Sequence, residues 1–61
     1  MEEKIYYIEN SNSLDIALDK ISNLIPCFIN RELIEMNYSK VSIKVREPDL
    51  RTVENTLVPL V

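Results

Sequence analysis

Between Tyr38 and Arg46 apolar and polar positions alternate, a period of two that is typical of a β-strand with one buried and one solvated face. The apolar positions are Val41, Ile43 and Val45. The polar positions, which are predicted to lie on the solvated face, are Lys40, Ser42, Lys44 and Arg46. This alternation predicts the clearest strand of the chain, and Glu47-Pro48-Asp49 ends it.

An earlier strand is predicted over residues 4–8, where Ile and Tyr favour β structure. The alternation is impure here, because Ile5 and Tyr7 would point to one face and Tyr6 and Ile8 to the other. Both faces of this strand can therefore be partly covered. The polar run 10–13 that follows is typical of a loop leading into a helix.

From Leu14 the spacing of apolar residues changes to three and four, which is typical of one face of a helix. The residues that share this spacing are Leu14, Ala17, Leu18, Ile21, Leu24, Ile25, Phe28 and Ile29. Asn12 or Ser13 is suited to cap the first turn. Pro26 interrupts the pattern, because a proline inside a helix removes a backbone hydrogen bond and collides with the preceding turn, at a cost of about 3 kcal/mol.

The segment after Pro26 has three interpretations. We favour a long helix that kinks near Pro26 and continues through Met36. Alternatively the helix stops near Asn23 and Pro26 opens a second one, or Glu32 to Met36 belongs to an extended strand. In both helical interpretations Asn37 serves as a left-handed C-terminal cap, because the chain has no glycine for that position.

A last helix is predicted after Pro48, with Asp49 as its cap. Its apolar stripe consists of Leu50, Val53, Leu57 and Leu60, and Pro59 falls near its end. The elements therefore follow the order β-α-β-α, and we predict a single α+β domain over residues 1–61.

The predicted sheet has too few strands to be stable alone, because about three or more strands with an apolar face are needed. The one cysteine, Cys27, excludes an intrachain disulfide, and the absence of histidine removes the usual zinc ligands. We therefore expect a homodimer in which a second copy completes the sheet across a two-fold axis. Parallel and antiparallel arrangements of the strands both remain open.

The net charge of -3 makes the chain a poor general binder of nucleic acid. No apolar run approaches the length that spans a bilayer, which is about 20 residues. Residues 1–4 lack the basic-then-apolar pattern of a secretory signal. We expect a cytoplasmic protein without a membrane partner.

Catalytic groups are scarce. Without histidine there is no Cys-His or Ser-His arrangement, and without glycine there is no phosphate-binding loop. Cys27 is best interpreted as a small buried hydrophobe, since a reactive thiol needs a cationic neighbour and only Arg31 is at a suitable spacing. The carboxylates at helical spacing are typical of a solvated helix face; they are Asp15 with Asp19 and Glu32 with Glu35. We predict no enzyme, no cofactor and no metal.

Residues that can bind a partner or an anion follow the polar side of the later strand: Lys40, Lys44 and Arg46, with Arg51 nearby in sequence and Tyr38 at the strand's start. Acidic protein patches or nucleic acid are possible ligands, with Tyr6 or Tyr38 stacking on bases. The simpler interpretation is that these charges keep the chain soluble and protect a strand edge. Tyr6, Tyr7 and Tyr38 also suit a protein interface.

The function that survives this elimination is a non-enzymatic homodimer that binds and modulates or inhibits a larger protein. In its length, acidity and lack of glycine the chain resembles small inhibitors carried by phages and mobile elements, for example in counter-defence, although that resemblance assigns no role to any residue. A nucleic-acid or small-anion binder is the first alternative. A structural subunit that docks through the apolar residues 57–61 is the second.

Overall fold

A computed structural model describes all of residues 1–61 as an α+β fold with three antiparallel strands and two helices. Along the chain these are β1 (Glu2–Glu9), α1 (Asn12–Leu24), β2 (Cys27–Glu35), β3 (Tyr38–Val45) and α2 (Leu50–Leu57). Short 3-10 turns at Glu47–Asp49 and Val58–Leu60 flank α2. The order is β-α-β-β-α, so the predicted order β-α-β-α lacks one strand.

Helix α1 begins one residue earlier than a cap at Asn12 implies and two residues earlier than a cap at Ser13 implies. Ser11 is the capping residue, and its side-chain oxygen accepts a hydrogen bond from the Leu14 backbone N–H at 3.2 Å. This contact satisfies one of the free N–H groups of the first turn, which explains why the prediction of Asn12 or Ser13 as cap is wrong. The buried face of α1 is the predicted one and consists of Leu14, Ala17, Leu18 and Ile21.

The predicted helix kink at Pro26 is wrong, because the chain leaves the helix there altogether. A proline ring disfavours helical geometry for the residue before it, and Ile25 has extended dihedral angles, φ -137° and ψ 149°. The chain then continues as β2 in place of a second helix. The alternative that made Glu32 to Met36 extended is right as far as Glu35, and Met36 lies in the following turn.

Strands β2 and β3 form a hairpin whose turn contains Met36 and Asn37. The predicted role of Asn37 as a left-handed helix cap is therefore wrong, since no residue in the chain has a positive φ. Glu35 pairs with Tyr38, and a register shift between Leu33 and Glu35 marks a β-bulge at the end of β2. Bulges of this kind bend a strand and increase its twist.

The sheet order is β1-β3-β2, and β3 pairs antiparallel with both neighbours. β1 and β2 therefore run parallel to each other, joined by α1, with β3 inserted between them. The central position of β3 explains its clean alternation, because its apolar side chains are buried and its polar ones lie on the other face. Val41, Ile43 and Val45 are all fully buried.

Both helices cover the same face of the sheet and enclose the core with it. The buried apolar residues are Ile8, Leu14, Ala17, Leu18, Ile21, Val41, Ile43, Val45, Val53 and Leu57. On this side α1 contacts β2 and α2, and an ion pair of 3.5 Å joins Lys4 on β1 to Glu54 on α2. The opposite face of the sheet has no helix on it.

Helix α2 has the predicted apolar stripe, with Val53 and Leu57 buried and Leu50 and Leu60 packed against the core. Asp49 occupies the capping position, but its side chain makes no capping hydrogen bond. Its carboxylate instead accepts from the Arg46 guanidinium at 3.3 Å. Of the apolar C-terminal residues 57–61, Leu57 is buried and Leu60 packs against the core, whereas Val58 and Val61 are exposed. Docking through this segment therefore stays a prediction.

The third strand removes the reason for expecting a dimer. That expectation depended on a chain with only two strands, whereas a single copy here builds a three-stranded sheet with a helix-covered apolar face. Self-association stays a prediction about solution behaviour, and completion of the sheet no longer requires it.

Candidate functional site

The uncovered face of the sheet carries the polar side of β3 and its neighbours on both edge strands, and we call it the open face. Cross-strand pairing arranges it in rows, each running from β1 through β3 to β2. The first two rows are Glu3–Lys44–Phe28 and Ile5–Ser42–Asn30. The other two are Tyr7–Lys40–Glu32 and Glu9–Tyr38–Glu35.

Large apolar and aromatic side chains lie exposed on the open face. Phe28 is 68% exposed, Tyr7 56%, Ile5 46% and Tyr38 42%. Tyr38 was predicted as a binding residue, whereas Phe28 was assigned to a buried helix face. The alternation of Cys27 and Ile29 with Phe28 is the sequence signal for its true position, and the competing helical spacing concealed it.

The two lysines of β3 have equivalent surroundings. Lys44 lies between Glu3 and Phe28, and Lys40 lies between Glu32 and Tyr7, so each lysine has a carboxylate on one side and an aromatic ring on the other. Neither lysine forms an ion pair within the chain. Both ammonium groups are therefore available to an external ligand.

A shallow groove of about 500 Å³ crosses one end of the open face. Ser42 lies on the central strand β3, and its small side chain leaves room for this groove. Phe28, Asn30, Glu3 and Lys44 are among the residues that border it. The groove thus combines an aromatic wall with hydrogen-bonding groups and charges of both signs.

Arg46 and Arg51, which were predicted to bind with Lys40 and Lys44, do not share the open face with them. Arg46 follows the end of β3 and is paired with Asp49. Arg51 is exposed on α2, which packs against the opposite side of the sheet. The structure thus groups Tyr38, Lys40 and Lys44, and it separates the two arginines from them.

Tyr6, one of the two tyrosines proposed to stack on bases, lies on the helix-covered side of β1. It packs against the core, and its hydroxyl is buried without a hydrogen-bond partner. Burial raises the pKa of this hydroxyl, and the nearby Glu54 carboxylate raises it further. Tyr7, the neighbouring residue, has the exposed position instead.

The end of the β2–β3 hairpin exposes four further apolar or aromatic side chains, and we call this group the hairpin tip: Leu33, Ile34, Met36 and Tyr38. Met36 in the turn is 92% exposed, and Leu33 is 67% exposed. Tyr38 belongs to both surfaces and joins the hairpin tip to the open face, whereas Leu33 pairs with the buried Ser39 and lies on the helix-covered side. Sequence reasoning missed this group because Leu33, Ile34 and Met36 were assigned to a helix.

A polar network at the base of the hairpin tip surrounds Arg31. Its guanidinium donates to the Asp15 carboxylate at 2.6 Å, to the Asn10 side-chain oxygen at 2.9 Å and, through Nε, to the Ser39 hydroxyl at 3.3 Å. The Ser39 hydroxyl in turn donates to Asn10. Ser39 is the one buried polar residue of the chain, so this network satisfies it.

Cys27 lies at the start of β2, partly buried against the core. Burial raises the pKa of its thiol, and the Asp49 carboxylate raises it further. The guanidinium of Arg31 is bound to Asp15, so it does not serve as the cationic neighbour that a reactive thiol needs. The interpretation of Cys27 as a small apolar side chain fits this environment.

No group of three or more Cys, Asp or Glu side chains is placed to hold a metal ion. The chain also contains no helix with the length and hydrophobicity needed to cross a membrane. Comparison with protein-family models, curated proteins and solved structures finds no match. The function is therefore inferred from the geometry of the open face and the hairpin tip.

Proposed function

We propose that the chain is a non-enzymatic binding domain whose open face contacts a larger protein of different sequence and modulates it by covering part of its surface. The observation that carries this proposal is the exposure of Ile5, Tyr7, Phe28 and Tyr38 on one uncovered sheet face. Several exposed apolar and aromatic side chains on one face of a small domain are typical of interaction surfaces.

The charge of the open face favours a protein over a nucleic acid. Its rows contain two lysines and four glutamates, which gives 2 - 4 = -2. The four carboxylates, Glu3, Glu9, Glu32 and Glu35, all lie on the two edge strands. A phosphate backbone bound to the central lysines would lie beside these carboxylates, and nucleic-acid affinity depends largely on favourable phosphate contacts.

The arrangement of the lysines also disfavours a second copy as the occupant of the open face. A symmetric face-to-face dimer has its two-fold axis between the two sheets. With the axis running along β3 and the faces fully overlapped, β3 of one copy lies on β3 of the other, and Lys40 and Lys44 each face their own counterpart. Buried like charges are costly, so this symmetric arrangement is disfavoured.

Nucleic acid is the second candidate, because one observation supports it. Tyr7 and Phe28, contributed by the neighbouring strands, place aromatic rings beside Lys40 and Lys44, and lysines with exposed rings are a known combination for single-stranded nucleic acid. Binding of this type should weaken steeply with salt and should be lost in the variant Lys40→Gln/Lys44→Gln. Unchanged affinity in that variant would remove nucleic acid from consideration.

The experiment that tests the proposal compares three tagged proteins as baits in a lysate of the native host. They are the unaltered chain, the open-face variant Tyr7→Ala/Phe28→Ala and the control Ile16→Ala. Ile16 is 66% exposed on α1, away from the open face, so its truncation removes exposed apolar surface from another part of the molecule.

We expect one stoichiometric protein to be captured by the unaltered chain and by the control. The open-face variant should capture it at least about tenfold less, which is a usual effect of truncating aromatic anchors of an interface. Urea unfolding of each bait shows that all three are folded. Equal recovery by all three baits, or recovery of nucleic acid alone, would contradict the proposal.

A further inference from the structure

The hairpin tip is fixed in place before any partner binds. The Asn10 backbone N–H donates a hydrogen bond to the Asn37 carbonyl, which ties the turn to the connection between β1 and α1. Just below, Arg31 joins β2 to α1, β3 and Asn10. A backbone held this way loses little conformational entropy on binding, because its geometry is already set.

The apolar side chains of the hairpin tip lie at one end of the sheet, and they face different directions. The molecule is elongated, with extents of 33 × 18 × 16 Å. Met36 lies in the turn itself, where it is almost fully exposed. Leu33 pairs with the buried Ser39 and so lies on the helix-covered side, whereas Tyr38 lies on the open face. Exposed apolar side chains that face different directions can be buried together only by a concave surface, which favours a cleft.

Carboxylates border the hairpin tip. Glu9 on β1 and Glu35 on β2 are both cross-strand partners of Tyr38, and neither forms an ion pair. The nearest cations within the sheet are Arg31 and Lys40. Arg31 is paired with Asp15, whereas Lys40 forms no ion pair. A partner that covers Tyr38 therefore meets two unpaired negative charges, which a surface with lysine or arginine side chains would complement.

We propose that the hairpin tip inserts into an apolar cleft of the partner protein, and that lysine or arginine side chains border this cleft. This inference rests on the proposed function, because it assumes that the open face contacts the same partner. Within that interface the tip supplies the buried anchor, and Glu9 and Glu35 supply the charged rim around it.

The test uses p-benzoylphenylalanine as a photo-crosslinker, incorporated at one position at a time in chains expressed in the native host. The positions are Met36 at the hairpin tip, Tyr7 on the open face and Asn55 on the exposed side of α2. We expect strong crosslinking of one protein from Met36 and Tyr7 and at least about tenfold less from Asn55, because only the first two positions would lie in the interface. The crosslinked peptides of the partner should line a cleft with lysine or arginine at its edge.

Each other outcome has a definite meaning. Crosslinking from Tyr7 but not from Met36 would overturn the insertion while leaving the proposed function in place. Crosslinking from none of the positions, or only to nucleic acid, would contradict both. A crosslink from Met36 to a flat or acidic surface of the partner would overturn the cleft.

The rim is tested separately by reversing its charges. The variant Glu9→Lys/Glu35→Lys should reduce crosslinking from Met36 by about tenfold, since it places like charges against a basic rim. The control Glu2→Lys/Glu47→Lys makes the same change in net charge at exposed positions outside the hairpin tip and should have less than about a twofold effect. Equal losses in both variants would show that only net charge matters, which would contradict a basic rim around the tip.

Discussion

The Arg31 guanidinium on β2 donates to the Asp15 carboxylate on α1 at 2.6 Å, and this pair joins the helix to the edge of the sheet. The same guanidinium also reaches Asn10 and Ser39, so one side chain connects four parts of the fold. Its alkyl stem lies on the helix-covered side of β2, at the position in the strand where an apolar residue would be expected. The network thus replaces apolar packing at the border of the core.

Replacement of Arg31 by alanine should destabilise the fold by about 1–2 kcal/mol, because the buried Ser39 hydroxyl and Asn10 lose their charged partner. Asp15→Asn should cost less, about 0.5 kcal/mol, since the carboxylate is largely exposed. Arg51→Ala is a matched control, because that arginine forms no ion pair within the chain. Urea unfolding monitored by circular dichroism measures all three, and equal effects of Arg31→Ala and Arg51→Ala would contradict this role.

The sequence pattern predicted those elements whose periodicity has one interpretation. Val41, Ile43 and Val45 alternate strictly because they lie on a central strand that is covered on one side. The stripe of α2 and the buried face of α1 were equally clear. In each case the hydrophobic pattern and the local propensities favour the same structure.

Strand β2 could not be predicted with the same clarity because both of its faces carry apolar residues. Phe28 and Ile29 are adjacent and belong to opposite faces, and together with Leu24 and Ile25 they also fit helical spacing. Pro26 was the decisive residue, through its effect on the geometry of Ile25. The open face was missed for the same reason, since its aromatic residues come from strands adjacent in space and distant in sequence.

The buried hydroxyl of Tyr6 predicts an unusual mutational result. Tyr6→Phe should leave stability unchanged or raise it by up to about 1 kcal/mol, because the hydroxyl is buried without a hydrogen-bond partner. Thermal and urea unfolding measure this change. Tyr7→Phe, at an exposed position, should have no effect, and a clear loss of stability in Tyr6→Phe would show that the hydroxyl has a partner.

The same residue predicts a change in alkaline stability. The pKa of Tyr6 is raised above its ordinary value of 10.0 in the folded chain, so the unfolded chain loses this proton first. The contribution of the protonated Tyr6 hydroxyl to stability is fully present below its ordinary pKa of 10.0, and it is lost as the pH rises through the folded pKa. The free energy of unfolding should therefore fall less steeply with alkaline pH in Tyr6→Phe than in the unaltered chain, and identical slopes would contradict the raised pKa.

The thiol of Cys27 should react slowly with alkylating reagents. Its pKa is raised in the folded chain, so less of the nucleophilic thiolate is present at mildly alkaline pH than in an unfolded chain. Alkylation by iodoacetamide, followed by mass spectrometry, should be at least several-fold slower in the folded protein than in the same protein in denaturant. A faster reaction in the folded state would indicate an activated thiol.

The cap of α1 provides a prediction with a control two residues away. Ser11→Ala should destabilise the fold by about 1 kcal/mol, because the Leu14 N–H loses its acceptor. Ser13→Ala, within the first turn of the helix, removes a hydroxyl that has no such contact and should change stability much less. Urea unfolding of both variants distinguishes the two residues, and a larger effect at Ser13 would place the cap there instead.

The intrachain third strand predicts how the protein responds to dilution. A chain that needed a second copy to complete its sheet would unfold as it dissociated. Its urea midpoint would therefore decrease on dilution. Because β3 pairs with both β1 and β2 within one copy, we expect circular dichroism spectra and urea midpoints to be independent of concentration. Sedimentation equilibrium on the same samples gives the mass at each concentration. A midpoint that falls with dilution, together with loss of a dimer, would show that folding and association are one event and that the exposed apolar surfaces are covered by a second copy.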